Sequence, residues 1–127
     1  MRQRVQLARA LVNHPEVLLM DEPFAALDFQ TWLAMQELLL RLWHEIHPKI
    51  FFITHDIEEA IFLADRVYVM SAAPGRIKEV LDVPFPKPRT IDIVTMAEFV
   101  AIKDHVLRLI RSEFQASDRR VFAGTDA

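Results

Sequence analysis

The sequence has no cysteine, only two glycines among its 127 residues and no long uninterrupted run of apolar side chains. Without cysteine, neither a disulfide framework nor a thiolate metal site can form. No apolar run approaches the roughly 18 residues of a membrane-crossing helix, and the charged N-terminal segment does not resemble a signal peptide. Neither Gly75 nor Gly124 is followed by lysine. This excludes the glycine-rich loop in which backbone amides and a lysine hold phosphate groups.

The overall composition is that of an ordinary globular protein of one domain. Hydrophobic residues make up 52% and charged residues 26% of the chain, a balance that allows a packed core and argues against intrinsic disorder. The formal net charge is -3. A chain of this charge is not expected to bind nucleic acid through bulk electrostatics.

Hydrophobic periodicity predicts alternating helices and strands. A helix is expected over residues 2–13, ending before Pro15, and a longer one from about Phe29 to Ile46, where Pro48 stops it. The predicted strands are Val17–Met20, Ile50–Thr54, Val67–Met70 and Ile77–Val83, and short capping signals at Asp56 and Thr95 open two further helices. Strand–helix–strand alternation predicts an open, mostly parallel α/β sheet covered on both faces, with the third and fourth strands paired as a hairpin.

Polar side chains stand where the first two strands end. Asp21 and Glu22 follow one apolar strand, and Thr54 and His55 the other. Ligands of open α/β sheets bind beyond the carboxyl ends of the strands. An Asp there suits Mg²⁺, which takes oxygen ligands, and a neighbouring Glu suits the polarisation of an attacking water.

Each of these residues also has a purely structural interpretation. Asp21 and Glu22 can form an acidic loop that faces solvent, and His55 can be a histidine of a helix-capping region. Asp28 and Asp56 are placed to cap the helices that follow them. His44 and His47 have the spacing of a metal pair on a helix, but the sequence offers no third ligand.

In combination, these segments resemble the ATPase subunits of ABC transporters over residues 1–90. The matching segments are Gln3-Arg4-Val5-x-Leu7-Ala8-Arg9-Ala10-Leu11, Val17-Leu18-Leu19-Met20-Asp21-Glu22-Pro23-Phe24, Ala26-Leu27-Asp28, Ile53-Thr54-His55-Asp56 and Glu59-Ala60. The resemblance implies the C-terminal half of that P-loop NTPase fold, without the phosphate-binding loop. Residues 91–111 are then expected to form a C-terminal helix and residues 112–127 a polar tail.

The resemblance also implies a role for each matching residue, with ATP and Mg²⁺ as cofactors. Asp21 corresponds to the Walker B aspartate that places Mg²⁺ through water, and Glu22 to the glutamate that orients the attacking water. His55 corresponds to the switch histidine at the γ-phosphate, and Asp28 to the D-loop that signals across a dimer. Met1 corresponds to the last position of the signature motif, at a helix N-terminus suited to phosphate.

Two further segments are similar to the importer branch for nitrate, sulfonates, taurine and bicarbonate. They are Ala73-Pro74-Gly75-Arg76-Ile77 and Val83-Pro84-Phe85-Pro86-Lys87-Pro88-Arg89. The similarity implies a second ATPase subunit, two transmembrane permease subunits and, indirectly, a substrate-binding protein as partners. It also implies a peripheral location on the cytoplasmic face of the inner membrane, and no nucleic-acid partner.

Two other functions remain open from the sequence. One is a small metal-dependent hydrolase that uses Asp21, Glu22, His55 and Asp56. The other is a non-catalytic, truncated or regulatory fragment that pairs with a complete subunit. As a free 127-residue polypeptide, the chain is expected to bind Mg-ATP weakly, to hydrolyse none and to expose an apolar sheet edge that invites aggregation.

Overall fold

The computed structural model of the chain describes residues 5, 9, 10, 12–72, 74–87 and 89–123. Its strands are β1 (Val17–Asp21), β2 (Lys49–Ile53), β3 (Arg66–Met70) and β4 (Ile77–Asp82). Its helices are α1 (Phe29–Ile46), α2 (Ile57–Leu63) and α3 (Ala97–Ala123), with a 3-10 helix at Ile91–Thr95. The predicted α/β class is confirmed. The helix predicted over residues 2–13 lies largely outside the described residues, but Val12, near its predicted end, is helical.

The chain divides into two compact units. The first comprises Met1–Asp56 and Pro86–Thr90, and the second comprises Ile57–Phe85 and Ile91–Ala127. The four strands are distributed between two sheets of two strands each, β1–β2 and β3–β4. The short connection between β3 and β4 favours the predicted antiparallel hairpin, and the long crossover through α1 permits the parallel pairing of β1 with β2.

In the first unit, β1 and β2 pair in parallel from Val17 opposite Lys49 to Asp21 opposite Ile53. Helix α1 has the predicted bounds. Its last turn closes at His47, which adopts a left-handed conformation and donates its backbone N–H to the Trp43 carbonyl at 2.8 Å. Pro48, with no backbone N–H, then prevents continuation of the helix.

The prediction that both faces of this strand pair are buried is wrong for the chain as it stands. Leu18 on one face is buried, whereas Leu19 and Phe51, paired on the opposite face, are 76% and 62% exposed. Ile53, on the same face, is 60% exposed. Residues 17–20 and 50–53 are all apolar, a pattern typical of strands that are buried on both faces, yet only one face is covered. An uncovered apolar face of this kind favours self-association.

Side chains from β1, the following turn and α1 form the core of the first unit. Leu18, Phe24, Met35 and Leu39 are all buried. Segment 86–90 belongs to the same unit, and the Lys87 ammonium lies 3.8 Å from the centre of the Trp43 ring. This cation–π contact holds the proline-rich segment on the last turns of α1.

In the second unit, β3 and β4 pair with Val67 opposite Leu81 and Val69 opposite Glu79. The connecting turn is closed by Ser71, whose backbone N–H donates to the Arg76 carbonyl at 2.7 Å. The Ser71 hydroxyl also accepts a hydrogen bond from the Arg76 backbone N–H at 3.0 Å. Gly75 lies in this turn, but its φ angle is not positive and a β-carbon there would meet no atom within 4 Å, so the turn does not require a glycine.

Helix α3 packs on α2 and the hairpin. Phe62 and Phe99 are fully buried in this core. Lys103 of α3 forms an ion pair with Glu58 at 2.6 Å, and Nε2 of His105 lies 2.7 Å from the Glu79 carboxylate, a contact that becomes an ion pair when the imidazole is protonated.

Both ends of α3 differ from the prediction. The helix continues to Ala123 instead of giving way to a polar tail after residue 111. Lys78 explains part of the extension, because it donates to the Ser112 hydroxyl at 2.6 Å and pairs with Glu113 at 2.9 Å. At the other end, the Thr95 hydroxyl donates to the Asp92 carbonyl instead of capping α3.

Candidate functional site

The carboxyl ends of β1 and β2 meet, as the sequence predicts for neighbouring parallel strands. Asp21 lies opposite Ile53 in the register. The backbone N–H of Glu22 donates to the Ile53 carbonyl at 2.8 Å, which continues the pairing one residue beyond β1. Glu22 and His55 therefore leave the sheet at the same edge.

Glu22 stands at a turn in the backbone. Its φ angle is 48°, in the left-handed region that a residue with a β-carbon enters at a cost of about 1–3 kcal/mol. Its carbonyl accepts a hydrogen bond from the Ala25 N–H at 3.2 Å, across a turn that has Pro23 at its second position. Phe24 anchors this turn, since it is buried and its ring centre lies 5.6 Å from that of Phe52 in β2.

His55 meets Glu22 at this edge. Its Nδ1 atom contacts Oε1 of Glu22, a buried oxygen, and the two groups form an ion pair when the imidazole is protonated. The His55 side chain is 88% exposed and that of Glu22 is 29% exposed. The arrangement places a carboxylate beside an imidazole that a ligand can approach from solvent.

The sequence places Thr54 at the end of β2, but it does not predict the hydrogen bond that the Thr54 side chain makes. Its hydroxyl oxygen accepts a hydrogen bond from the backbone N–H of Asp56 at 3.0 Å. A threonine hydroxyl bonded to the backbone two residues on forms a turn around the residue between them, here His55. The sequence signal is the order Thr, His, Asp after a strand. Helix α2 then begins at Ile57, directly after the predicted cap Asp56.

Asp21 is exposed at the end of β1. A single exposed carboxylate fits Mg²⁺, which often binds one or two protein carboxylates together with waters and substrate phosphates. Within the described part of the chain, no group of three or more His, Asp or Glu residues could hold a metal ion. Asp21, Glu22, His55 and Asp56, the residues of the alternative metal-dependent hydrolase, are therefore not gathered into such a group.

Asp28 caps α1. Its backbone is extended, and its Oδ1 atom accepts a hydrogen bond from the Thr31 N–H at 2.7 Å. The local interpretation of Asp28 as a cap is therefore confirmed, and its D-loop role across a dimer stays a prediction. The described contacts of Asp28 are with Thr31 and Trp32, not with the Glu22–His55 pair. Met1, predicted to end the signature motif, lies outside the described residues.

The Asp28 cap predicts a pH-dependent contribution to helix stability. The hydrogen bonds with Thr31 hold the pKa of the Asp28 carboxyl below its ordinary value of 3.8. A carboxyl whose pKa is lowered by folding stabilises the fold above its unfolded pKa, and this stabilisation is lost as the pH falls through the lower, folded pKa.

We therefore expect Asp28→Ala to lower the melting temperature of the chain at about pH 7 more than at about pH 2.5. Asp28→Asn is the matched control, because asparagine caps helices as well as aspartate does but carries no charge. The difference between the Asn and Ala variants should not change with pH, as followed by circular dichroism. An equal effect of Asp28→Ala at both pH values would contradict the charged cap.

The sequence of the chain is similar to known proteins of one family. The sequence model described as "ABC transporter" matches residues 1–25. A nitrate import ATP-binding protein of Synechocystis sp. is 49% identical over 117 residues, which cover 87% of this chain and 44% of that protein. An aliphatic sulfonates import ATP-binding protein of Bacillus cereus is 46% identical, over 85% of this chain and 42% of that protein. An ABC transporter ATP-binding protein of Methanocaldococcus jannaschii is 45% identical over 89% of the chain.

The chain belongs to the ABC transporter family. It spans less than half the length of the three relatives named above, between 41% and 44%. The α/β fold and the matched region agree with part of the P-loop NTPase domain of this family. Among the helices in the described part of the chain, none is both long and apolar enough to cross a membrane.

Proposed function

We propose that the chain forms the hydrolytic part of an ATP-binding subunit of an ABC importer. The observation that carries the proposal is the contact between Glu22 and His55 where the parallel strands β1 and β2 end. A carboxylate and an imidazole can take part together in phosphoryl transfer, which depends on positioning and charge stabilisation more than on covalent catalysis. The importer relatives, similar over most of this chain, support the same assignment.

Each residue at the strand ends has a distinct task in this proposal. Asp21, exposed after β1, would hold Mg²⁺ through water. Glu22 would orient the attacking water with its carboxylate, while its left-handed backbone directs that side chain towards His55. His55 would bind the terminal phosphate through its exposed imidazole. When bound, Mg²⁺ supplies charge neutralisation of the triphosphate.

ATP binding and assembly belong to the same proposal. The chain has no glycine-rich loop. In a complete subunit, the phosphate-binding loop would lie in the region that corresponds to the unmatched part of the relatives. In the assembly, Asp28 and Met1 would lie at the interface with a second ATPase subunit. That dimer would bind two permease subunits at the cytoplasmic face of the inner membrane. A substrate-binding protein would act on the other side of the membrane, and no nucleic acid takes part.

The transported substrate is proposed as a small oxyanion or organic anion. Support comes from the relatives, two of which are named as nitrate and aliphatic sulfonates import ATP-binding proteins. Taurine and bicarbonate are further members of this chemical class.

A chimaera tests the proposed function. In it, this chain replaces the segment that it matches in the Synechocystis nitrate import protein, so that the rest of the subunit is supplied. The chimaera should hydrolyse Mg-ATP and sediment with membranes when the Synechocystis permease subunits are co-expressed. The control is the same preparation without the permease subunits.

The possible failures of this experiment point to different parts of the proposal. A folded chimaera that binds ATP but does not hydrolyse it would contradict the hydrolytic role and favour a non-catalytic fragment. A chimaera that hydrolyses ATP but stays out of the membrane fraction would contradict the partner assignment alone.

A further inference from the structure

The backbone on both sides of His55 is fixed by hydrogen bonds. Before it, the carbonyl of Ile53 accepts the Glu22 N–H at 2.8 Å. Across it, the hydroxyl of Thr54 accepts the Asp56 N–H at 3.0 Å. The first bond joins the His55 segment to Glu22, and the second closes a turn in which His55 is the central residue.

His55 itself has little surrounding structure to hold it. Its side chain is 88% exposed, so packing cannot fix the direction of the imidazole. An exposed side chain keeps one position only if its backbone is fixed and its polar atoms have a partner. The imidazole contacts Glu22, and the Thr54 hydroxyl makes a side-chain bond to the backbone across His55.

We propose that Thr54 is a positioning residue, whose hydroxyl closes the turn around His55 and so keeps the imidazole against Glu22. Thr54 need not touch the nucleotide, because it acts through the backbone of the residue that follows it. This proposal rests on the proposed function, which assigns the Glu22–His55 pair to ATP hydrolysis. It adds a requirement for a hydroxyl group at position 54.

The Thr54→Val variant of the chimaera tests this role, since valine keeps the branched shape and removes the hydroxyl. A displacement of about 1 Å in a catalytic group can cost 10²-fold in rate, so we expect kcat to fall by about 10- to 100-fold. The KM for ATP should stay within about threefold, because the loss concerns turnover and not nucleotide binding. Thr54→Ser keeps the hydroxyl, so its kcat should lie within about threefold of the kcat of the unmodified chimaera.

Two controls separate positioning from folding. Thr95→Val is the matched change, since the Thr95 hydroxyl also makes a local bond to the backbone, at 3.1 Å, but in the 3-10 helix of the other unit. It should leave kcat unchanged. Circular dichroism and thermal unfolding check each variant. If Thr54→Val does not fold, Thr54→Ala removes the same hydroxyl with a smaller side chain and decides the question.

The outcomes that overturn the proposal are specific. A folded Thr54→Val or Thr54→Ala chimaera with the original kcat would refute it, and so would a Thr54→Ser variant that loses as much activity as Thr54→Val. Failure of the proposed function looks different. In that case Glu22→Gln would leave ATP turnover intact, whatever the Thr54 variants do.

Discussion

Glu22→Gln in the chimaera should lower the rate of ATP hydrolysis by about 10²- to 10⁴-fold while ATP binding stays intact. Glutamine has nearly the same size and keeps one acceptor oxygen. It lacks the negative charge that polarises an attacking water, and its amide nitrogen cannot accept a proton. The change therefore removes the chemical function of Glu22 while the turn between Glu22 and Ala25 can still form, because that turn is made by the backbone.

The measurement is steady-state ATP turnover together with equilibrium binding of the nucleotide. Glu37→Gln is the matched control, since Glu37 is an exposed glutamate on α1 and should tolerate the change. His55→Ala should also reduce turnover, because it removes both the imidazole and its contact with Glu22. Turnover of Glu22→Gln at the rate of the unmodified chimaera would show that Glu22 is not the residue that activates water.

The 127-residue chain by itself should bind Mg-ATP no more tightly than about the millimolar range, which corresponds to about -4 kcal/mol. Affinity for a triphosphate comes mainly from an amide cradle and a lysine, and the chain has no glycine-rich loop to provide them. Asp21 and Glu22 present negative charge to an anion, so they repel the triphosphate unless Mg²⁺ lies between them. Hydrolysis by the isolated chain should not be detectable.

Isothermal titration of the isolated chain with Mg-ATP is the measurement, and the chimaera is the positive control. The exposed apolar face of β1 and β2 complicates it, because self-association releases or absorbs heat of its own. Leu19→Lys with Phe51→Lys replaces two side chains that are 76% and 62% exposed, and should reduce association without disturbing the core. A sub-micromolar dissociation constant for either form would mean that the chain has a nucleotide site of a different kind.

Several elements could be predicted from the sequence because their signals are local. The bounds of α1, Phe29–Ile46, follow from a capping aspartate, an apolar stripe at helical spacing and a terminating proline. The β3–β4 hairpin follows from two apolar runs joined by a short turn. The meeting of Glu22 and His55 at one edge follows from the rule that neighbouring parallel strands end together.

Other features depend on contacts between residues far apart in the chain. Gln36 is fully buried in α1 although its side chain is polar, and the contacts of Lys78 with Ser112 and Glu113 support α3 beyond residue 111. No local pattern contains this information.

The functional site divides in the same way. The sequence alone gives the residue types at the strand ends, which are Asp21, Glu22 and His55. It also gives the spacing that identifies the family. The contact between Glu22 and His55 is a tertiary result, since it requires the parallel register of β1 with β2 and the left-handed backbone at Glu22. Amino-acid order determines which groups arrive at the end of a strand. Only the packing of one strand beside another brings two such groups into contact, because that distance is set by hydrogen bonds across the sheet.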